Sequence, residues 1–180
     1  MVILKVAQMG HPVLGRRADE VPDPTAPEIK ALVANMIETM NDADGLGLAA
    51  PQVHVPRRVV VFLTPRAEAD EREAELTVLV NPVVEPLTDE KVEGWEGCLS
   101  VPGLRGLVPR HRRVRYRGVT PEGEPIDRVA EGLHARVVQH ECDHLDGILF
   151  PMRMPDLSKL YFESELRHLK LRAREEAMAL

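Results

Sequence analysis

The chain has 180 residues, of which 44% are hydrophobic and 29% are charged, a balance typical of an ordinary soluble globular domain. Its formal net charge of −6 excludes a general nucleic-acid binder, so we expect no DNA contact, and RNA contact would need a local basic patch. Two cysteines, Cys98 and Cys142, are too few for a disulfide framework. No apolar run approaches the roughly 20 residues that cross a bilayer. We therefore expect a cytoplasmic protein with no membrane association.

One amphipathic helix is predicted in the first quarter of the chain. Prolines and potential capping residues at 23–28 indicate its start, and apolar residues then recur at helical spacing from Ile29 to Met40. Residues 41–45 should end this helix. Residues 45–52, with the sequence GLGLAAPQ, should follow as a loop.

Runs rich in β-branched residues predict strands through the middle of the chain. The predicted strands are residues 57–63, residues 76–84 with a break at Pro82, residues 112–119 and residues 125–129. Residues 66–75 are dominated by Glu, Ala and Asp and are interpreted as an exposed excursion. Residues 121–123 should form the turn between the last two strands.

Two more helices are predicted in the last third of the chain. The first covers residues 131–145 with Gly147 as its stop, and the second runs from Asp156 to the end. This order indicates an α+β fold and not alternating βαβ units. We expect one compact domain of antiparallel or mixed sheets at residues 1–155, and a helical extension at residues 156–180 that packs on it or projects from it.

The strongest motif is the sequence HECDH at residues 140–144, within an otherwise apolar helix. His140 and His144 are four residues apart, so they lie on one helix face and can bind the same metal ion. Glu141 lies at the rim of that face, where its carboxylate can act as a general base on water. Buried polar groups are costly without a partner, which favours a bound metal.

A hydrolytic metal site needs a third protein ligand and one open position. Phe150 stands where a metzincin would have its third histidine, so that continuation is absent. The sequence pattern leaves Glu163, Glu165 and Cys98 open as the third ligand. Cys142 lies roughly 200° around the helix from either histidine and is interpreted as a small buried apolar residue.

Three segments together resemble the peptide deformylase family. They are GLGLAAPQ at residues 45–52, EGCLS at residues 96–100 and QHECDH at residues 139–144. The family motifs read G-x-G-x-A-A-x-Q, E-G-C-x-S and H-E-x-D-H in the same order, and the resemblance extends from about Leu4 to Phe150. It implies a compact α+β catalytic domain with sheets packed around the metal-bearing helix.

The resemblance implies removal of the formyl group from the N-terminal formyl-methionine of newly synthesised proteins, giving formate and a free N-terminal methionine. It also implies one divalent ion, naturally Fe2+, for which Zn2+, Ni2+ or Co2+ can substitute. Glu141 would be the general base, and the side-chain amide of Gln52 with the backbone N–H of Leu99 would stabilise the oxyanion. The residues that the resemblance assigns to the metal are Cys98, His140 and His144.

The substrate should lie beside the metal, along the first motif. Gly45 and Gly47 would let the peptide backbone approach closely and lie like an added strand. The methionine side chain needs an apolar pocket. Leu46, Leu133 and Val137 are the candidate lining residues.

A few residues depart from the usual family pattern. Arg136 lies one turn before the first metal histidine, where many bacterial members carry an aliphatic residue. Gly94 and Trp95 stand where an aliphatic–acidic pair is more usual. These features are similar to the branch that includes organellar enzymes, and they leave the pocket shape open. We also expect an ion pair between Glu96 and Arg105 that braces the cysteine loop.

Positive charge is concentrated in two segments. The basic stretch consists of Arg110, Arg112, Arg113, Arg115 and Arg117. The predicted tail helix carries Arg167, Lys170 and Arg174 on one face. Solvated charge on an exposed strand explains the basic stretch, and contact with ribosomal RNA through either segment is the functional alternative.

Overall fold

The computed structural model describes residues 2–65 and 74–168, which contain two α-helices and eight β-strands. The helices are α1 (Pro27–Asp42) and α2 (Gly132–Leu145). The strands are β1 (Gly47–Ala49), β2 (Val59–Pro65), β3 (Ala74–Pro86), β4 (Lys91–Cys98), β5 (Val101–His111), β6 (Arg113–Val119), β7 (Pro125–Glu131) and β8 (Leu160–Phe162). The predicted excursion at residues 66–75 lies largely outside the described residues. In the described part of the chain, neither helix has the length and apolar character needed to span a membrane.

Helix α1 forms where its apolar spacing predicts. Pro27 occupies the first turn, where its missing N–H costs nothing, and Glu28 follows it at the positive end of the helix dipole. The helix buries a stripe that contains Ile29, Val33 and Met36. It ends at Asp42, within the predicted range.

The larger sheet has the strand order β1-β2-β3-β6-β7, and every neighbouring pair is antiparallel. Strand β2 is buried on both faces because its side chains alternate between two cores. Val59 and Val61 pack with α1, whereas Val60 and Phe62 pack with α2. The sheet therefore separates the two helices.

The smaller sheet has the order β4-β5-β8 and covers the other side of α2. Val101 and Val108 of β5 form its core with Leu149 and Phe150, which follow α2 in the chain. Helix α2 thus lies between two antiparallel sheets, and its buried residues include both motif histidines. This arrangement confirms the expected α+β fold packed around the motif helix.

The predicted break at Pro82 is present as an irregularity within β3. Its pairing with β6 shifts between Val80 and Val83, and Asn81 adopts a positive φ of 52°. The Asn81 amide donates to the carbonyl of Val21 and accepts from its N–H, at 2.9 Å each. The bulge therefore anchors the N-terminal segment to the sheet.

The predicted helix from Asp156 onward is wrong for residues 157–165. Short 3-10 turns at Leu157–Lys159 and Glu163–Glu165 flank β8, which pairs with residues 104–106 of β5. The free edge of β5 offers backbone partners that outweigh the local helical periodicity. Residues 169–180 lie outside the described residues, and the division of the chain after residue 155 stays a prediction.

Candidate metal centre

Helix α2 brings the two motif histidines together deep between the sheets. The rings of His140 and His144 have centroids 5.0 Å apart, and both residues are buried. Glu141 lies between them in sequence and is 4% exposed. Spacing of four residues on a buried helix face is the cause of this arrangement.

Cys98 comes from the other side, at the end of β4. It pairs with Val101 across a tight turn that joins β4 to β5, which fixes the direction of its thiol. The Cys98 Sγ lies 3.3 Å from His144 Nε2. One ligand atom each from Cys98, His140 and His144 lie within 4.8 Å of one another.

The alternative third ligands lie elsewhere. Glu163 accepts hydrogen bonds from Arg105 at the rim of the site, with both side chains substantially exposed. Glu165 lies on the surface, 3.5 Å from His168. Of the three candidates that the sequence left open, the structure brings only Cys98 to the histidines.

The ligand set fits a divalent ion. His140 Nδ1 lies 2.9 Å from Glu96 Oε2, which fixes the ring and leaves Nε2 for the ion. A thiolate and two imidazoles suit the late first-row transition metals, and three protein ligands leave an open position. The described residues therefore form a possible Cys/His/His metal site.

Glu96 is held by two arginines, but Arg105 is not one of them. Arg110 donates to both of its oxygens at 2.9 Å, and Arg136 donates to Oε1 at 2.7 Å. Burial raises the pKa of the Glu96 carboxyl, but the hydrogen bonds from Arg110 and His140 outweigh it and lower the pKa to about 2. The predicted Glu96–Arg105 pair is wrong.

Strand periodicity explains that correction. Glu96 pairs with Gly106 in the ladder between β4 and β5, and alternate residues of a strand face opposite sides. Arg110 therefore points to the same side as Glu96, toward α2. Arg105 points to the other side and reaches Glu163.

Asp143 extends this buried network and was missed in the sequence. Arg110 donates to its Oδ2 at 2.5 Å, and Arg153 donates to both of its oxygens at 3.1 and 2.6 Å. A carboxylate on the buried face of a helix needs a cationic partner. The position of Asp143 between two buried histidines was therefore the sequence signal for such a partner. Arg110 therefore joins the β4–β5 hairpin to α2 through two carboxylates.

Glu141 has the environment of a proton acceptor. Burial raises the pKa of its carboxyl to about 7. Within the described residues, its Oε2 atom has no hydrogen-bond partner. Gly47 leaves room for the other oxygen, because a Cβ at that position would overlap the Glu141 carboxylate.

Gln52 is buried beside Cys98. Its Oε1 accepts from the N–H of Ala49 at 2.8 Å, and its Nε2 donates to Ser100 Oγ at 3.1 Å and to Cys98 Sγ at 3.4 Å. Leu99 lies between Cys98 and Ser100 in the same turn. These contacts hold the Gln52 amide beside Cys98 of the possible metal site.

Cys142 lies on the opposite side of α2 within the core shared with the larger sheet. Burial raises the pKa of its thiol, so it stays protonated. It is separate from the group of Cys98, His140 and His144. This position is that of a small apolar residue.

An open cavity of about 650 Å³ adjoins the metal centre. The residues that line it include all five substrate-binding candidates, Gly45, Leu46, Gly47, Leu133 and Val137. Val137 is buried, whereas Leu46 and Leu133 are about half exposed. Trp95, Arg136 and Glu163 also line the cavity.

The remaining arginines of the basic stretch are paired on the surface. Their ion pairs are Arg112–Glu90, Arg113–Glu131, Arg115–Asp127 and Arg117–Glu85. Each positive charge is therefore accompanied by a negative one. The basic stretch does not form a concentrated positive patch.

Comparison with known proteins identifies the family. The polypeptide deformylase family model matches residues 3–160. Peptide deformylase 1 of Bordetella pertussis is 52% identical over 167 residues, which cover 92% of this chain and 95% of the relative. Peptide deformylase 1 of Nitrosomonas europaea is 51% identical over 168 residues, with the same coverage of both chains.

Solved structures agree with this comparison. The Met-Ala-Ser-bound class I type b peptide deformylase from Acinetobacter baumannii has a TM-score of 0.78 and 38% identity, covering 85% of this chain and 99% of that chain. Peptide deformylase from Thermotoga maritima has a TM-score of 0.78 and 33% identity, covering 87% of this chain and 100% of that chain. The chain therefore belongs to the polypeptide deformylase family of metal-dependent hydrolases, which remove the formyl group from N-terminal formyl-methionine.

Proposed function

We propose that this chain deformylates new proteins with Cys98, His140 and His144 as metal ligands and Glu141 as the general base. The observation that carries this assignment is the buried Glu141 carboxylate, which adjoins the ligand cluster in an open cavity. Hydrolysis breaks the amide C–N bond between the formyl carbon and the methionine nitrogen. The products are formate and a free N-terminal amine.

We propose Fe2+ as the natural ion, with Zn2+, Ni2+ or Co2+ able to substitute. When bound, the ion supplies Lewis acidity that lowers the pKa of water and polarises the formyl carbonyl. A cysteine-ligated ferrous site should lose activity in air, because thiolates at such sites oxidise. Metal analysis of protein purified without oxygen tests this assignment, and a preparation active only with zinc would contradict it.

Glu141 moves the proton in both halves of the reaction. Its carboxylate takes a proton from the attacking water, and the resulting hydroxide adds to the formyl carbon. The protonated Glu141 then gives that proton to the departing methionine nitrogen as the C–N bond breaks. A carboxyl pKa of about 7 suits a group that must accept and return a proton near neutral pH.

Gln52 and Leu99 are the proposed donors to the oxyanion that forms on the formyl oxygen. The Gln52 Oε1 is fixed by the N–H of Ala49, so the amide keeps its orientation, and the Nε2 hydrogen that faces Cys98 Sγ at 3.4 Å is the one available to the substrate oxygen. Leu99 lines the same cavity and contributes its backbone N–H. Loss of one such donor typically costs about 100- to 1000-fold in kcat.

The peptide is proposed to bind along Gly45, Leu46 and Gly47. Strand β1 is the outer strand of the larger sheet, so a peptide can pair with it as an added strand. The methionine side chain then enters the cavity beside Leu133 and Val137. The Acinetobacter baumannii relative was solved with Met-Ala-Ser bound, which is the deformylated form of such a peptide.

The direct test is formate release from formyl-Met-Ala-Ser by iron-loaded protein kept free of oxygen. Wild type should release formate, and Glu141→Gln should retain the metal while losing about 100- to 10,000-fold in kcat, the typical contribution of a catalytic base. Cys98→Ser should lose both metal and activity. Absence of formate from fully metallated wild type would contradict the proposed function.

Two matched controls separate the site from its surroundings. Cys142→Ala removes the other thiol, which lies outside the ligand cluster, and should keep the metal. Glu163→Gln removes the rejected carboxylate ligand and should also keep it. Retained metal in Cys98→Ser together with its loss in Glu163→Gln would instead favour a protease-like ligand set.

We also propose that the enzyme works in the cytoplasm on nascent chains, with ribosome contact through the C-terminal segment at residues 156–180. The paired arginines of the basic stretch carry less free charge, so the tail is the better candidate. Truncation after His168 leaves β8 intact and should reduce co-sedimentation with ribosomes. Equal co-sedimentation of the truncated and full chains would contradict a role for residues 169–180.

A further inference from the structure

Arg136 has an unusual place for a charged residue, because it fills the gap between α2 and the smaller sheet. Its guanidinium donates to the backbone carbonyls of Val92, Gly94 and Val108, at 2.7, 3.3 and 2.8 Å. Its side chain is only 13% exposed. These bonds fix the side chain across β4 and β5 in one orientation.

Gly94 provides the space that Arg136 occupies. A Cβ at residue 94 would lie 2.7 Å from the Arg136 Cζ and Nη2 atoms and 2.9 Å from Nε. The guanidinium therefore rests directly on bare strand backbone. The Arg136 side chain on α2 thus fills the volume that a side chain at residue 94 of β4 would occupy.

The same arginine borders the cavity where the methionine side chain is proposed to bind. Leu133, Arg136, Val137 and His140 share one face of α2, because they are spaced by three, four and seven residues. All four line the cavity, together with Trp95 of β4. The apolar methylenes of an arginine can form such a wall while its charged end is satisfied elsewhere.

We propose that Arg136, seated on Gly94, is a specificity-determining residue that closes the side of the methionine pocket between α2 and β4. The inference rests on the proposed function, since it assigns the width of that pocket. With the gap closed, the pocket accepts a long, narrow side chain and excludes an aromatic ring. Without Arg136, the wall opens toward β4.

Arg136 also contacts Glu96, so its effect on the pocket must be separated from an effect on the metal centre. Arg110 bonds both Glu96 oxygens and remains when Arg136 is removed. A change in pocket width should therefore alter KM and the preference between substrates more than kcat. A loss confined to kcat would indicate a role through Glu96 alone and would overturn the proposal.

The test compares iron-loaded wild type and Arg136→Ala on formyl-Met-Ala-Ser and formyl-Phe-Ala-Ser. We expect Arg136→Ala to shift the ratio of kcat/KM toward the phenylalanyl peptide by at least about tenfold, the scale of discrimination by pocket shape. The double variant Gly94→Val/Arg136→Ala fills the gap from the strand side. It should reverse at least half of that shift, measured on the logarithm of the kcat/KM ratio, and so restore the wild-type preference. An unchanged ratio in Arg136→Ala, or no restoration in the double variant, would overturn the proposal.

Two further measurements keep the test independent of folding and catalysis. Calorimetric binding of unformylated Met-Ala-Ser and Phe-Ala-Ser should show the same shift in preference, even if wild type released no formate and the proposed function failed. If Arg136→Ala does not fold, Gly94→Ala retains the arginine but displaces it into the cavity. We expect this variant to raise KM for formyl-Met-Ala-Ser severalfold, and an unchanged KM would overturn the proposal.

Discussion

The first arginine of the basic stretch, Arg110, is buried, whereas the four arginines that follow it in the stretch lie on the surface. The Arg110 side chain is 5% exposed and bonds Glu96 and Asp143 between β5 and α2. The side chains of the four arginines that follow are 43 to 59% exposed, and each pairs with a surface carboxylate. Residue type and sequence proximity therefore do not reveal what an arginine contributes.

The difference follows from the cost of moving charge out of water. A buried pair must be complete, because removing one partner leaves an uncompensated charge in a low dielectric. An exposed pair loses little, because water and salt already screen its attraction. We therefore expect the buried arginine to support both stability and the metal centre, and the surface arginines to support neither strongly.

The largest effect should come from Arg110→Met. This change keeps an apolar stem but removes the buried cation that Glu96 and Asp143 share, leaving Arg136 on Glu96 and the half-exposed Arg153 on Asp143. Breaking a buried pair costs about 3–5 kcal/mol, and we expect the lower end of that range. Urea unfolding should show that loss, with a lower metal content at equal protein concentration. A loss below about 1 kcal/mol with full metal content would contradict the distinction between buried and exposed pairs.

Glu96→Gln should give a pH-dependent loss. The pKa of Glu96 is lowered from 4.5 to about 2 in the folded protein, so its contribution is present above pH 4.5 and is lost as the pH falls toward 2. At pH 7 the contribution is about 3 kcal/mol, converted from that shift. Urea unfolding of the metal-free proteins should show a difference that shrinks below pH 4.5, and a constant difference would contradict this cause.

Arg153→Met tests an intermediate case. Arg153 bonds Asp143 through two hydrogen bonds, but its side chain is 46% exposed. Because Arg110 still neutralises Asp143, we expect a loss of about 1 kcal/mol or less in the free energy of unfolding. A loss as large as that of Arg110→Met would show that burial is not the deciding variable.

The smallest effect is expected for Arg115→Gln on β6. Arg115 and Asp127 form two hydrogen bonds of 2.6 Å, but both side chains are well exposed. The melting temperature and metal content should match those of wild type. A clear drop in melting temperature would show that this exposed pair stabilises the protein as strongly as a buried pair, which would contradict the distinction.

Local patterns predicted the elements whose stability is local, and failed where a distant strand decides the structure. Helix α1 follows from its apolar spacing and β6 from its alternation, with Val114 and Tyr116 buried. Strand β8 is different, because Leu160 to Phe162 are extended only while the edge of β5 is beside them. A single sequence contains no signal for that pairing, so the segment was predicted as a helix.

The candidate site shows the same limit. The spacing of His140 and His144 predicts their common face, but the choice of Cys98 came from the resemblance and not from the spacing. The partners of Glu96 depend on which face of β5 each arginine takes in the pairing register. That register could not be read from the sequence, and the predicted pair with Arg105 failed for this reason.

Strand β8 lies near the C-terminal end of the chain, so the ribosome makes it after the rest of the smaller sheet. The first of the three proposed ligands is Cys98 and the last is His144, and the sheet that carries Cys98 gains its edge strand only at residues 160–162. A growing copy therefore has no complete set of proposed ligands until residue 144 has been made, and no edge strand until residue 162. Any formylated N-terminus that emerges in that time, including its own, depends on copies that folded earlier.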